Sequence, residues 1–241
     1  MKLAGDLHIH SCLSPCGDND MTPANIAGMA MLKGLKIVAL TDHNTSKNCP
    51  AFFEACEACG ILPIAGMEIT TAEDIHVIAL FPDLESAMRF DAFVDTQRIR
   101  IKNRKDIFGE QRIMDAADHI IGEEEDLLIN ATMMDLVTAT EKTREFGGVS
   151  YPAHIDKEAN GIIATLGFMP DEPVYTCYEF HDPNNIHKYR EAYHLGDAKF
   201  LFCSDAHYLW DIKEGDDAML LDCPEAGTDD EKRRAVLKSF Q

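Results

Sequence analysis

The chain has 241 residues, 46% of them hydrophobic, which is enough for one sizeable core and ordinary for a globular protein. No apolar run approaches the ~18–20 residues of a membrane span, and the opening MKLAGDLHIH lacks a signal peptide's apolar stretch, so a cytoplasmic protein is expected. Lys plus Arg number 22 against 42 Asp plus Glu; the resulting charge of −20 repels anionic membranes and long nucleic acids, and neither is expected as a partner.

Short apolar runs alternate with helical segments along the chain, a pattern of α/β organisation. Residues 3–9 read as a first strand. Thr22-Pro23 opens a helix, with Thr as N-cap and Pro at the first helical position, and Gly34 ends it. LKIVAL (35–40) reads as a buried strand. A helix over 50–59 is closed by Gly60, and ILPIA (61–65) and IHVIALF (75–81) read as further strands. From about 84 to 146 the chain is charged and largely helical, with an acidic GEEED at 122–126 and apolar pairs at 113–114 and 120–121 that suggest a hairpin. This stretch reads as an inserted elaboration within one domain spanning 1–241. Strand-like runs resume with GGVSYPA (147–153), VYTCYEF (174–180), KFLFCS (199–204) and AMLLDC (218–223). A last helix begins at the capping box Thr228–Glu231, and its Arg233, Arg234 and Lys238 complement the helix dipole.

The eight cysteines show no compact disulfide framework. Cys56 and Cys59 read as small core residues on a helix. Cys12 and Cys16 flank the candidate site, where a structural role ranks above a ligand role because imidazole and carboxylate groups already abound.

Those groups carry the functional signal. His8 and His10 alternate near the end of the first strand, and residues i and i+2 of a strand share a face. Asp42-His43 follows LKIVAL directly, Glu68 follows ILPIA by three residues, His154 follows GVSYPA, and Asp205 and His207 follow KFLFCS. Each motif alone is weak, since exposed strand-end histidines are common. Jointly they sit at the carboxyl ends of several strands, which converge on one face of an α/β barrel. Burying so many ionisable groups is costly unless metals accept them. Mixed imidazole and carboxylate donors suit zinc, manganese or iron, and their number suggests more than one ion.

The motifs DLHIH (6–10), LTDHN (40–44), PAHID (152–156) and SDAH (204–207), in that order and with GMEI and IHVIAL between them, resemble the PHP (polymerase and histidinol phosphatase) family in its small stand-alone form. The resemblance implies a distorted (β/α)7 barrel with two or three divalent ions at its mouth. It implies His8, His10, Asp18, His43, Glu68, His76, His154, Asp205 and His207 as ligands, with Glu68 bridging two ions. Relatives carry a shorter segment after HxH, so Asp20 is the alternative to Asp18. Asp6 and Asp42 are expected to orient ligand histidines. His181 reads as a bystander or a substrate contact, and His119, His187 and His194 as surface residues.

The expected reaction is hydrolysis of a small phosphomonoester or nucleotide by metal-bound hydroxide, with Glu68, Asp205 and His207 at the catalytic centre. Either a metal-bound water or His207 is expected to protonate the leaving group. Lys47 and Lys157 lie just beyond two of the motifs and read as solvated loop lysines ahead of phosphate contacts. The rival readings are a nuclease-like phosphodiesterase and a metal-binding regulatory or interaction module without turnover.

Overall fold

The structure, a computed structural model, describes residues 1–241. In chain order its elements are β1 (Lys2–Asp6), α1 (Pro23–Leu32), β2 (Ile37–Leu40), α2 (Cys49–Cys59), β3 (Leu62–Thr70), β4 (His76–Phe81), α3 (Leu84–Gln97), α4 (Lys105–Phe108), β5 (Arg112–Met114), β6 (Ile120–Glu123), α5 (Leu136–Glu145), β7 (Val149–Pro152), α6 (Ile162–Leu166), β8 (Cys177–Glu179), α7 (Ile186–Ala192), β9 (Lys199–Leu201), β10 (Met219–Asp222) and α8 (Asp229–Lys238).

One sheet has the order β10-β1-β2-β3-β4-β7, and β8 and β9 form a parallel pair. β1, β2 and β3 run parallel, β4 is antiparallel to both β3 and β7, and β10 runs antiparallel along β1. β8 lies beside β7, and a bridge from Ile9 to Ala206 ties the chain beyond β9 to the chain beyond β1. The curled sheet is thus the distorted α/β barrel that the family resemblance implied.

Every residue of β2, β3 and β4 is buried, as strands covered on both faces must be. Val38, Leu40, Ala65, Met67, Ala79 and Phe81 face outward against Ile26 and Ala30 of α1, Phe52 and Cys56 of α2, and Phe90 and Val94 of α3. Ile37, Ala39, Leu62, Ile64, Ile78 and Leu80 face inward, where they meet Tyr151, Leu201 and α8's Val236 and Leu237. Gly66 belongs to the inner row. A Cβ there would press into the Ala79 carbonyl and the Leu80 side chain, so β3 and β4 approach closely only because the residue is glycine.

The caps follow the sequence. Thr22 accepts from the Asn25 amide, Gly60 adopts φ 67° behind α2, and Thr228 and Glu231 form a reciprocal capping box. Arg233 does more than answer a dipole: it is buried, donates to the Pro82 carbonyl, and ties α8 to the loop before α3. The pairs at 113–114 and 120–121 do form a hairpin, β5–β6. The ends of the 84–146 stretch, α3 and α5, pack on the sheet beside β3, β4 and β7, and residues between them carry the hairpin. Lys47 joins Glu124 at 2.5 Å and Arg98 lies 3.3 Å from the same carboxylate, so the hairpin is anchored over the barrel by half-buried and buried charges.

Candidate metal centre

Strand alternation delivers the site. On β3 the inward row Leu62, Ile64, Gly66 continues to Glu68, which lies within the strand and not in a loop beyond it as its distance from ILPIA suggested. On β2 the row Ile37, Ala39 continues through Thr41 to His43, which forms an isolated parallel bridge with Glu68. His76 opens β4 on the same row as Ile78, and Asp205 continues the row of Leu201 and Cys203. Two of these side chains are aimed by unusual backbone: His154 has φ 26° and Asp205 has φ 51°. Non-glycine residues adopt such values at a cost of roughly 1–3 kcal/mol, retained where the position serves the site.

Glu68 lies at the centre. Its Oε2 is 3.5 Å from His8 Nε2, 3.2 Å from His10 Nε2 and 3.2 Å from His43 Nδ1. Its Oε1 is 2.8 Å from His76 Nδ1 and 3.2 Å from His154 Nε2. Asp205 Oδ1 is 3.3 Å from both His8 Nε2 and His10 Nε2, and Lys157 donates to its Oδ2 at 2.5 Å. His207 stacks on His10 with ring centroids 4.4 Å apart, and its Nδ1 donates to the Asp205 carbonyl at 2.8 Å. A cavity of about 180 Å³ opens onto Cys16, His43, Glu68, His154, Lys157 and His207.

Three groups of donor atoms lie within 4.8 Å of one another: His8, His10, Glu68 and Asp205; His43, Glu68 and His76; and His10, Cys16, His43 and His207. The donor set fits divalent ions. Nδ1 of His154 is buried without a hydrogen-bond partner, and Nδ1 of His43 and of His76 meet Glu68 oxygens out of hydrogen-bonding alignment, a cost that a ligated ion removes. His8 and His10 point their Nε2 atoms at each other across 3.1 Å, a contact that a proton or a metal ion between them satisfies.

The electrostatics favour protonated His8 and His10 beside ionised carboxylates. Burial works against charge on His8, yet Glu179, Asp205 and Glu68 outweigh it and hold its pKa well above the ordinary imidazole value. Burial opposes charge on His10 too, but its hydrogen bonds to Asp205 and Glu68 raise its pKa to about 9. Burial and the neighbouring His10 lower His207 to about 4. Burial alone would raise Glu68, but the surrounding imidazoles, His76 and His8 foremost, keep it ionised well below the usual carboxylate range.

The structure does not bring Asp18 or Asp20 to the cluster. Asp18 Oδ1 accepts from the Asp20 amide, closing a surface turn, and the thiol of Cys16 lies among the imidazoles instead. Asp42 supports His10 indirectly: it accepts from Ser14 Oγ at 2.7 Å, and Ser14 Oγ meets His10 Nδ1 at 3.0 Å. Asp6 accepts from the backbone amides of Ser204 and His8 and touches no ring. Lys47 and Lys157 are both ion-paired, not free loop lysines. His181 is exposed and only its backbone is engaged, through Asp156, while His119 and His187 are exposed surface residues.

Sequence reasoning missed Glu179. Its two oxygens lie 2.9 and 3.1 Å from His8 Nδ1, so it fixes the ring and leaves Nε2 facing the cluster. The signal was the alternation in VYTCYEF: Tyr178 and Phe180 pack outward, while Cys177 and hence Glu179 face the barrel interior.

Fold and site together define an α/β barrel with His and carboxylate clusters at its strand ends able to hold divalent ions. The PHP domain profile matches residues 6–164, about two thirds of the sequence, and the chain belongs to that family. An uncharacterized protein of Methanocaldococcus jannaschii is 34% identical over 87 residues, covering 33% of this chain and 50% of that protein. Among solved structures, the chain is similar to a lesion-specific endonuclease from Pyrococcus furiosus (TM-score 0.66, 20% identity, 99% of this chain and 56% of that one). It is also similar to a protein from Bifidobacterium adolescentis described as a metal-dependent phosphoesterase (TM-score 0.60, 20% identity, 98% and 96%). An amidohydrolase from Chromobacterium violaceum aligns at TM-score 0.53 and 18% identity over 92% of both chains. At these identities the structures speak for the fold. The chain spans about half the length of the M. jannaschii protein and of the endonuclease.

Proposed function

We propose that this chain is a metal-dependent phosphoesterase acting on a small phosphomonoester or nucleotide. Its ligands would be His8, His10, His43, Glu68, His76, His154, Asp205 and His207, holding two or three ions of zinc, manganese or iron. The observation that carries this reading is Glu68, whose two oxygens each face a separate set of imidazoles, the geometry of a carboxylate shared between ions. Ions held there would lower the pKa of water toward ~7 and neutralise phosphoryl oxygens.

The chain's own residues do the rest. Lys157 reaches the cavity as its one cation and is placed to bind a non-bridging phosphate oxygen when it exchanges its contact with Asp205. Glu179 and the Asp42–Ser14 pair keep the His8 and His10 rings turned toward the cluster. The cavity's ~180 Å³ suits a small phosphorylated group. With no two cysteines joined, a reducing, cytoplasmic setting is part of the proposal.

A nuclease-like phosphodiesterase is the second reading. It draws on the likeness to the P. furiosus endonuclease and to an endonuclease Q solved with a 27-mer duplex containing an abasic lesion. The charge of −20, and the pairing of the basic run at 98–105 with Asp95, Asp106 and residues 123–126, favour the small substrate.

The test is elemental analysis of protein purified without chelator, with assay of the same samples on phosphomonoesters, small nucleotides and lesion-bearing duplex. The double variant His8→Ala, His10→Ala is the control. Two or three ions per chain with monoester turnover lost in the control are expected. Turnover confined to the duplex selects the nuclease reading. Ions without turnover select a metal-binding module, and fewer than two ions after reconstitution sinks the multinuclear site.

A further inference from the structure

The segment after HxH folds into a tight turn. Ser14 donates to the Ser11 carbonyl, Gly17 donates to the Ser14 carbonyl, and the Asp18 amide donates to the His207 carbonyl at 2.9 Å. A Cβ at Gly17 would strike the Ser11 carbonyl, so the turn closes only with glycine there. Its effect is to hold Cys16 over the barrel mouth. Seven of the eight cysteines are wholly or partly buried away from solvent, whereas Cys16 is exposed and also lines the cavity with His43 and His207.

We infer that Cys16 is a thiolate ligand of a metal subsite completed by His43 and His207, beside the ring of His10, whose Nε2 faces Glu68 and Asp205. All four donor atoms lie within 4.8 Å of one another. A second observation points the same way: the His10 ring lies 4.6 Å from the His43 ring and 4.4 Å from the His207 ring, so the imidazoles beside the thiol are packed as one group. Cys16 and His207 belong to this group alone, His43 meets Glu68 through Nδ1 and leaves its Nε2 to this subsite, and His10 serves the group around Glu68. One sulfur and two imidazole nitrogens make a three-ligand set that leaves tetrahedral zinc a fourth position for water or substrate, and a soft donor favours zinc or ferrous iron over magnesium and manganese. On binding, the Sγ–H bond breaks, sulfur keeps the electron pair for the metal, and the proton passes to solvent. The inference rests on the metal-binding reading of the site above and adds to it the identity of one ligand and a bias in the metal.

Cobalt(II) supplies a readout independent of turnover. Chelator-stripped full-length protein is titrated with cobalt while near-ultraviolet and visible absorption are followed, and bound cobalt is counted after desalting. Wild type is expected to show a thiolate-to-cobalt charge-transfer band. Cys16→Ser is expected to lose the band and one equivalent of cobalt. Cys16→Asp should recover the equivalent without the band, and Cys12→Ala should keep both. Cobalt bound with visible d–d bands but no charge-transfer band in wild type, or a band undiminished in Cys16→Ser, overturns the thiolate ligand and leaves the phosphoesterase reading standing. Failure of wild type to take up cobalt overturns both.

Discussion

At the scale of single residues the site is built from carboxylates with different tasks. Glu68 faces five imidazoles, whereas Glu179 is fully turned toward one, His8. A carboxylate behind a ligand histidine sets its tautomer and basicity, and losing it typically costs about 10–100-fold in metal affinity. Glu179→Gln preserves shape and removes the charge. It is expected to weaken metal binding by that factor while the fold persists, measured by chelator competition with circular dichroism as the control. Unchanged affinity would reduce Glu179 to a packing residue.

At the scale of elements, the outer helices are fixed by caps and by cross-links between them. Asp83 caps α3 by accepting from the Ser86 amide at 2.8 Å, and it also pairs with Arg234 of α8 at 2.8 Å. Removing an Asp cap costs about 1 kcal/mol, so Asp83→Ala should lower unfolding stability by that amount in denaturant titration. The pH dependence has a definite sign. Slight burial pushes the Asp83 carboxyl up, but the Ser86 and Arg234 contacts outweigh it and depress its pKa below 3.8. Its contribution is therefore complete above that value and fades as pH falls through the depressed one. The difference between wild type and Asp83→Ala should shrink in acid; a difference constant with pH would assign the loss to packing.

At the scale of the molecule, the cluster joins β3 and β4 to the chain beyond β1, β2, β7 and β9. An ion held there links distant parts of the barrel in the folded state only. At a thousandfold excess over the dissociation constant, such binding adds about 4 kcal/mol. For a chain of this size that corresponds to roughly 8–16 °C in Tm at 2–4 °C per kcal/mol. Stripping the metal with chelator should lower the melting temperature by that order, and zinc or manganese should restore it. A Tm indifferent to chelator, with metal shown to leave, would mean that the barrel closes without help from the ions.

The sequence by itself determined the alternation of strands and helices, the caps at Thr22, Gly60 and Thr228, and the strand-end positions of His8, His10, His43, His154, Asp205 and His207, because these follow from local periodicity and backbone preference. The tertiary structure decided what local pattern does not encode. Glu68 lies within a longer β3 because pairing with β4 carries the strand past ILPIA. Glu179 reaches His8 across 171 positions of sequence because β8 returns beside β7. After HxH, a turn closed on Gly17 and anchored to His207 turns the carboxylate of Asp18 to the surface and the thiol of Cys16 toward the imidazoles. A turn of a few residues sets side-chain direction through contacts with a distant strand end, and no spacing rule along the chain contains those contacts.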